Sequence, residues 1–172
     1  MKLQYTFISL LIVIHINTAS ADNKATEARL DEVARIGRQV MPFNLEQTLH
    51  IFSKTKTGGV QQVISKDASN KHQINLTQDH LRKIAKDFKQ GNFSDPEKIH
   101  GKDMPGLKAL QRAKAGEILM QYRKLLNGAE IVYITDKEDL VDAIHQWFDA
   151  QLNDHARHAT MHHRMHNQKT KK

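Results

Sequence analysis

Eleven histidines and no cysteine set the chemistry open to this chain of 172 residues. Imidazole ligates borderline metals, moves protons near neutral pH and, when a carboxylate holds one ring nitrogen, presents the other as a directed donor or base. The absence of thiols excludes zinc–thiolate sites, disulfide stapling and thiol catalysis, so stability must come from packing. Five histidines, His50, His80, His100, His145 and His155, fall in apolar or turn-rich stretches of the body. His145 and Asp149 are four residues apart, so on a helix they share a face. A small fold could bring His50, His80, His100 and His145 together, and such a set with Asp149 or Asp154 would suit Zn²⁺, Cu²⁺ or Ni²⁺. Taken singly, each also reads as an imidazole at the core margin bonded to a backbone carbonyl.

A second set lies in the tail. If a helix runs through residues 154–166, then His155, His158, His162 and His166 form one stripe at spacings of three, four and four, with Met161 and Met165 beside it. Adjacent imidazoles at that spacing can chelate one ion, and thioethers shift the preference toward Cu(I). The plainer reading is a solvated, basic tail that binds metals only as any histidine-rich peptide does. Lys169, Lys171 and Lys172 also permit a charge-driven contact with an anionic envelope surface.

The elements that must position these groups begin after residue 21. Lys2, an uncharged run from Leu3 to Ile16, and Ala19-Ser20-Ala21 read as a secretory signal peptide cut between Ala21 and Asp22. The apolar run is short for a membrane span, and no cysteine follows it, so a lipoprotein anchor is not expected. The mature protein is expected in the periplasm or secreted, with no transmembrane segment left. The formal charge of +7 is local: Lys2 and the five basic residues of 156–172 account for six charges, leaving the body close to neutral. A nucleic-acid groove is therefore not expected. The expected division is a signal at 1–21, an N-terminal helix or leader at 22–45 ended by Pro42, an α+β domain at 46–156 and a basic His/Met-rich tail at 157–172.

Within the domain, residues 47–53 and Val60–Ile64 alternate as strands about a turn at Gly58-Gly59, and a helix capped by Asn75 or Thr77 carries Leu81, Ile84, Ala85 and Phe88. The order recurs: strands at Glu117–Tyr122 and Ala129–Thr135 flank Asn127-Gly128. A helix opened by Asp136 or Asp139 then carries Leu140, Val141, Ile144, Trp147, Phe148 and Leu152. Two hairpin–helix units predict an α+β fold with a four-stranded antiparallel sheet and both helices on one face. The stretch between them, with Gly91, Pro96, Gly101, Pro105 and Gly106, predicts an ordered, turn-rich connection rather than an element, which either carries function, as long connections in compact domains often do, or crosses the sheet and plugs one end of the core with Phe93, Met104 and Leu107.

Several of these residues carry a resemblance. Thr48-x-His50-x-Phe52, Gly58-Gly59-x-Gln61, His80-Leu81, Gly91-x-Phe93-Ser94-Asp95-Pro96, Ile99-His100-Gly101-x-x-Met104-Pro105-Gly106-Leu107, Ile144-His145-x-Trp147-Phe148-Asp149-Ala150-Gln151 and Asp154-His155 resemble a family of small exported bacterial proteins over roughly residues 46–156. The family's members are mostly uncharacterised, and the resemblance implies no established activity. Some members carry the label aspartate carbamoyltransferase. That reaction needs a phosphate cradle at a helix N-terminus and two α/β domains to close over its substrates, and this chain has neither the Ser-Thr-Arg-Thr-Arg loop nor the length.

Binding rather than turnover is the expectation. Ser94 lies in Phe93-Ser94-Asp95-Pro96 with no Gly-x-Ser-x-Gly elbow, which leaves acid–base work by histidines and Asp149 as the route to an enzyme. The favoured reading is an exported protein that binds a transition metal (Cu, Zn or Ni); the runner-up is an envelope interaction or structural protein whose histidines are incidental.

Overall fold

The computed structural model describes residues 24–161. It is an α+β fold of five α-helices and one five-stranded mixed sheet. Strand β1 (Thr48–Thr55) pairs antiparallel with β2 (Gly58–Ser65), and β3 (Leu119–Leu125) pairs antiparallel with β4 (Gly128–Ile134). The two hairpins join edge to edge through β2 and β4, with Val63 opposite Ala129. A fifth strand, β5 (Ala159–Met161), lies parallel to β1 and completes the order β3-β4-β2-β1-β5. The α+β class is as expected, but the sheet is five-stranded and mixed rather than four-stranded and antiparallel, the difference being the short parallel edge strand β5.

Both hairpin turns sit one or two residues before the glycines that announced them. Thr55 faces Gly58 and Leu125 faces Gly128, so the two-residue turns are Lys56-Thr57 and Leu126-Asn127. Gly59 is instead a position of close approach. A Cβ there would lie 2.4 Å from the Phe148 ring and 2.9 Å from the Ser53 carbonyl oxygen.

Period-two alternation selects what faces the helices: Thr48, His50 and Phe52 on β1, Gln61 and Val63 on β2, Ile131 and Tyr133 on β4 are buried. Helix α2 (Lys71–Lys89) covers β2, β3 and β4 with Ile74, Thr77, Leu81, Ile84 and Phe88, and α5 (Glu138–Asp154) covers β1 and β2 with Ile144, Trp147 and Phe148. Helix α2 starts earlier than expected: Asn70 is its cap, accepting from the Gln73 N–H at 3.2 Å, and Asn75 and Thr77 lie inside the helix. Its first turn, Lys71-His72-Gln73, has no apolar residue to advertise it.

The connection between the units holds two short helices, α3 (Ser94–His100) and α4 (Leu107–Arg112), where only turns were expected. Pro96 is tolerated because it lies in the first turn of α3, where no i−4 bond is lost. The plug itself is as expected: Phe93, Met104 and Leu107 are buried, and Phe93 stacks on Phe88 at 4.2 Å. Gly106 caps α4 in the left-handed region at φ 76°, with the Ala143 carbonyl oxygen of α5 only 2.1 Å from where a Cβ would stand. Helix α1 (Glu27–Val40), capped by Thr26, buries Leu30, Val33 and Gly37 and packs on α3 and α5, so it is part of the body. Among the described residues no helix is long and apolar enough to cross a membrane.

Candidate functional site

Three elements converge where the N-terminus of β1, the C-terminus of α3 and the C-terminus of α5 meet. Alternation along β1 turns His50 toward the helices, and its ring is almost wholly removed from water. His155 follows the last residue of α5, its N–H donating to the Gln151 carbonyl at 2.9 Å. The His50 and His155 rings stack with centroids 5.2 Å apart and planes 3° apart. His100 closes α3 and meets the His155 ring edge to face at 4.9 Å. His80, on α2, is half-buried and sits against Phe43 at 5.5 Å.

All four rings line one small cavity of about 50 Å³, whose remaining wall is mostly apolar and includes Val63, Leu81, Ile84 and Trp147. A second, open cleft of about 690 Å³ lies outside, between α5, the residues before α1 and the α3–α4 turn. His100 lines both, and its side chain is buried.

His100 is held in place from behind. Its Nδ1 lies 2.8 Å from the Asp154 carboxylate, and Arg29 donates to the same carboxylate at 2.6 Å and to the His100 carbonyl at 2.9 Å. With Nδ1 committed to a carboxylate, Nε2 is the nitrogen left to act, the arrangement that orients imidazole ligands and bases elsewhere. Burial by itself would raise the Asp154 carboxyl, and the bonds from His100 and Arg29 outweigh it and hold Asp154 below its ordinary value.

The imidazoles are kept neutral. Burial, reinforced by the neighbouring imidazoles of His80 and His158, lowers His50 to about 3, and burial lowers His80 to about 4. Burial, then the proximity of His50 and His100, pushes His155 well below the usual imidazole range. Burial also lowers His100 despite the pull of Asp154. Neutral rings are the form that binds a metal or abstracts a proton. Among the described residues no hydroxyl or thiol lines the cavity, and its one carboxylate is that of Asp95. Among the described residues no group of three or more His, Cys, Asp or Glu side chains already has its donors gathered as for a metal ion. The His50–His155 stack explains this, since parallel rings do not aim their nitrogens at a common point.

The remaining expected ligands lie elsewhere. His145 is turned to the first hairpin, its Nε2 within 3.0 Å of the Thr55 carbonyl and 2.9 Å of the Gly58 carbonyl. Asp149 pairs with Lys54 at 2.5 Å on the surface, so the four-residue spacing of His145 and Asp149 builds no joint site. His158 is buried outside the cavity, with Nε2 3.2 Å from Glu46. The helical stripe expected through the tail is interrupted: α5 stops at Asp154, a turn follows, and Ala159–Met161 are a strand. His162 and His166 lie outside the described residues.

Arg29 and Trp147 are the participants that sequence reasoning missed as site residues. Arg29 sits on an amphipathic helix among other charges, and no local pattern tells that its partner is Asp154. Trp147 reads as core from its helical spacing, which is correct, but its Nε1–H has no hydrogen-bond partner among the described residues. No family model, curated protein or solved structure matches this chain.

Proposed function

We propose that this is a small exported binding protein whose ligand is a transition metal ion taken by His50, His100 and His155, with His80 as the fourth imidazole. One observation carries the reading: four imidazoles from four separate elements line a single cavity of about 50 Å³. Histidines that serve only as core-margin packing have no reason to face one another across four elements. Asp154 and Arg29 add the outer support that fixes ring orientation in imidazole metal sites, leaving His100 Nε2 as the anchoring donor. Neutral nitrogen donors without thiolates suit Cu²⁺, Zn²⁺ and Ni²⁺. Loading requires His50 and His155 to leave their stack by rotating about their side-chain bonds, a cost that lowers affinity without altering the donor set.

The test separates the cavity from the tail. The full chain and a variant carrying His162→Ala, His163→Ala and His166→Ala are titrated with Cu²⁺, Zn²⁺ and Ni²⁺ by calorimetry, beside His100→Ala in both backgrounds. One tight site that survives the tail changes and is lost with His100→Ala is the expected result. Binding lost with the tail changes alone, or absent throughout, overturns the cavity as the site.

A further inference from the structure

The alternation that turns His50, Val63 and Tyr133 toward α2 and α5 turns the residues between them to the opposite face of the sheet, where the described residues place no helix. A sheet face left to water is ordinarily polar. Here the register sets Leu119 beside Ile134 on β3 and β4, Val132 beside Val60 on β4 and β2, and Ile64 beside Leu49 on β2 and β1. Leu119 is 50% exposed and Ile134 37%. A single polar rung crosses between these apolar pairs. Arg123 Nε donates to one oxygen of the Glu130 carboxylate at 2.7 Å, and the Gln62 amide donates to the other at 2.7 Å. Among the described residues, Arg123 and Glu130 are the only charged residues that the strands direct to this face, in a chain that is 26% charged, and they neutralise each other.

Charge and shape choose the occupant. A nucleic acid, an anionic polymer or a charged protein needs an uncompensated charge to pair with, and the face offers none. A second copy needs a neutral face, because a two-fold contact brings the same patch, with the same charge, against itself. Two identical sheets also carry the same twist, so they stack with strands aligned to within about 30° and faces ~10 Å apart. Four strands ~4.8 Å apart, the outermost seven residues long, give each copy a flat footprint of roughly 450 Å², and more in accessible surface once side-chain relief is added. Two such footprints approach the small end of specific interfaces, about 1,200 Å² in total, where association is weak and concentration-dependent.

We propose that the uncovered face of the sheet is a self-association surface, on which a second copy of this chain docks face to face about a two-fold axis. The dimer has two sheets at its centre and the helices of each copy outside. The histidine cavity lies on the helix side of the sheet, so this inference is independent of metal binding.

Sedimentation equilibrium of the full chain in the presence of a chelator, from about 1 μM to about 1 mM, is expected to show monomer passing to dimer with a Kd on the order of 100 μM. Two double variants test the face: Leu119→Lys with Ile134→Lys, and Leu119→Asp with Ile134→Asp. Both positions are already exposed, so the fold is expected to hold. Each variant alone should stay monomeric over the whole range, and the two mixed should associate, since opposite charges then meet. If either fails to fold, Gln121→Lys and Gln121→Glu, exposed on the same face, take their place. A wild type that stays monomeric overturns the proposal and leaves the face to a different partner. A dimer that survives in both variants lies at another surface, such as the β3 edge, and association seen only without chelator is metal-bridged. Variants that remain apart when mixed show that the face meets a different surface of the second copy; each of these results also overturns the two-fold contact.

Discussion

His50 and His155 lie face to face, ring centroids 5.2 Å apart and planes 3° apart, one from the first strand and the other from the turn after the last helix. The chain is tied at the same place by the backbone, where the His50 N–H donates to the His158 carbonyl at 2.8 Å. The stack is therefore both a junction of the fold and a wall of its cavity, so a change there alters both.

Acid should unfold the protein early. Burial lowers His50 to about 3, His80 to about 4 and His155 well below the usual range, whereas each takes up its proton near 6.5 in the unfolded chain. Below about pH 6.5 the unfolded state binds more protons than the folded one, so stability is full above that value and declines as pH drops. The His80 contribution is spent near pH 4 and the His50 contribution near pH 3. Asp154 works in a lower window, its bonded carboxylate losing its advantage only as pH falls through the ordinary carboxylate range of about 4. Urea midpoints measured from pH 8 to pH 4 should be level above pH 7 and fall below pH 6, with uptake of more than one proton on unfolding. A midpoint unchanged down to pH 5 would show that the rings are not held dry.

Asp154→Asn tests the support behind His100. The change removes the charge that Arg29 and His100 share at 2.6 Å and 2.8 Å. It should lower stability by about 2 kcal/mol and weaken metal binding at the cavity roughly tenfold. Both are read from one preparation by denaturation and calorimetry. Lost stability with unchanged affinity would confine Asp154 to holding α1 against α5.

His145→Ala should separate the histidines by role. Its ring holds the Thr55 and Gly58 carbonyls at the first hairpin, so its loss should cost about 1 kcal/mol and leave metal affinity unchanged. Asp149→Asn breaks only the exposed pair with Lys54 and should move stability by less than about 0.5 kcal/mol. A drop in metal affinity from either would place them in a site that the cavity does not contain.

Gly106→Ala should be the most damaging small change in the connection. The residue adopts φ 76°, and an added methyl meets the Ala143 carbonyl oxygen at 2.1 Å and the Trp147 backbone nitrogen at 2.9 Å. Left-handed strain and forced separation of α4 from α5 together should cost about 3 kcal/mol. Thermal unfolding checks this, with Gly91→Ala as the comparison, since that position shares the positive φ but a Cβ there meets nothing within 4 Å.

The hairpins and the two long helices were legible because alternation and helical spacing are local signals with strong apolar content, as at Ala129–Thr135 and Leu140–Leu152. Strand β5 was not: Ala159-Thr160-Met161 is too short to show a period, and neither Gly nor Pro marks the end of α5. The start of α2 was hidden by its polar first turn, and the α3 helix by the proline it accommodates at its N-terminus. At the site, His50, His80, His100 and His155 were identifiable as chemistry-bearing residues, but their meeting was not, because it depends on pairing between distant segments. His145 had equal claim by type and spacing, and only the side of α5 that it occupies sends it to the hairpin instead.

The Arg29–Asp154–His100 clamp has a consequence in time. Its members come from the first helix, the last helix and the middle of the chain, so each contact closes a long loop whose entropy must be met before the contact forms. A chain emerging from its N-terminus can build both strands of its first hairpin and all of α2 while still lacking residues 154 and 155. The cavity lacks the His155 ring and the Asp154 support until those residues arrive, so its wall can close only after the chain has been made as far as the end of α5.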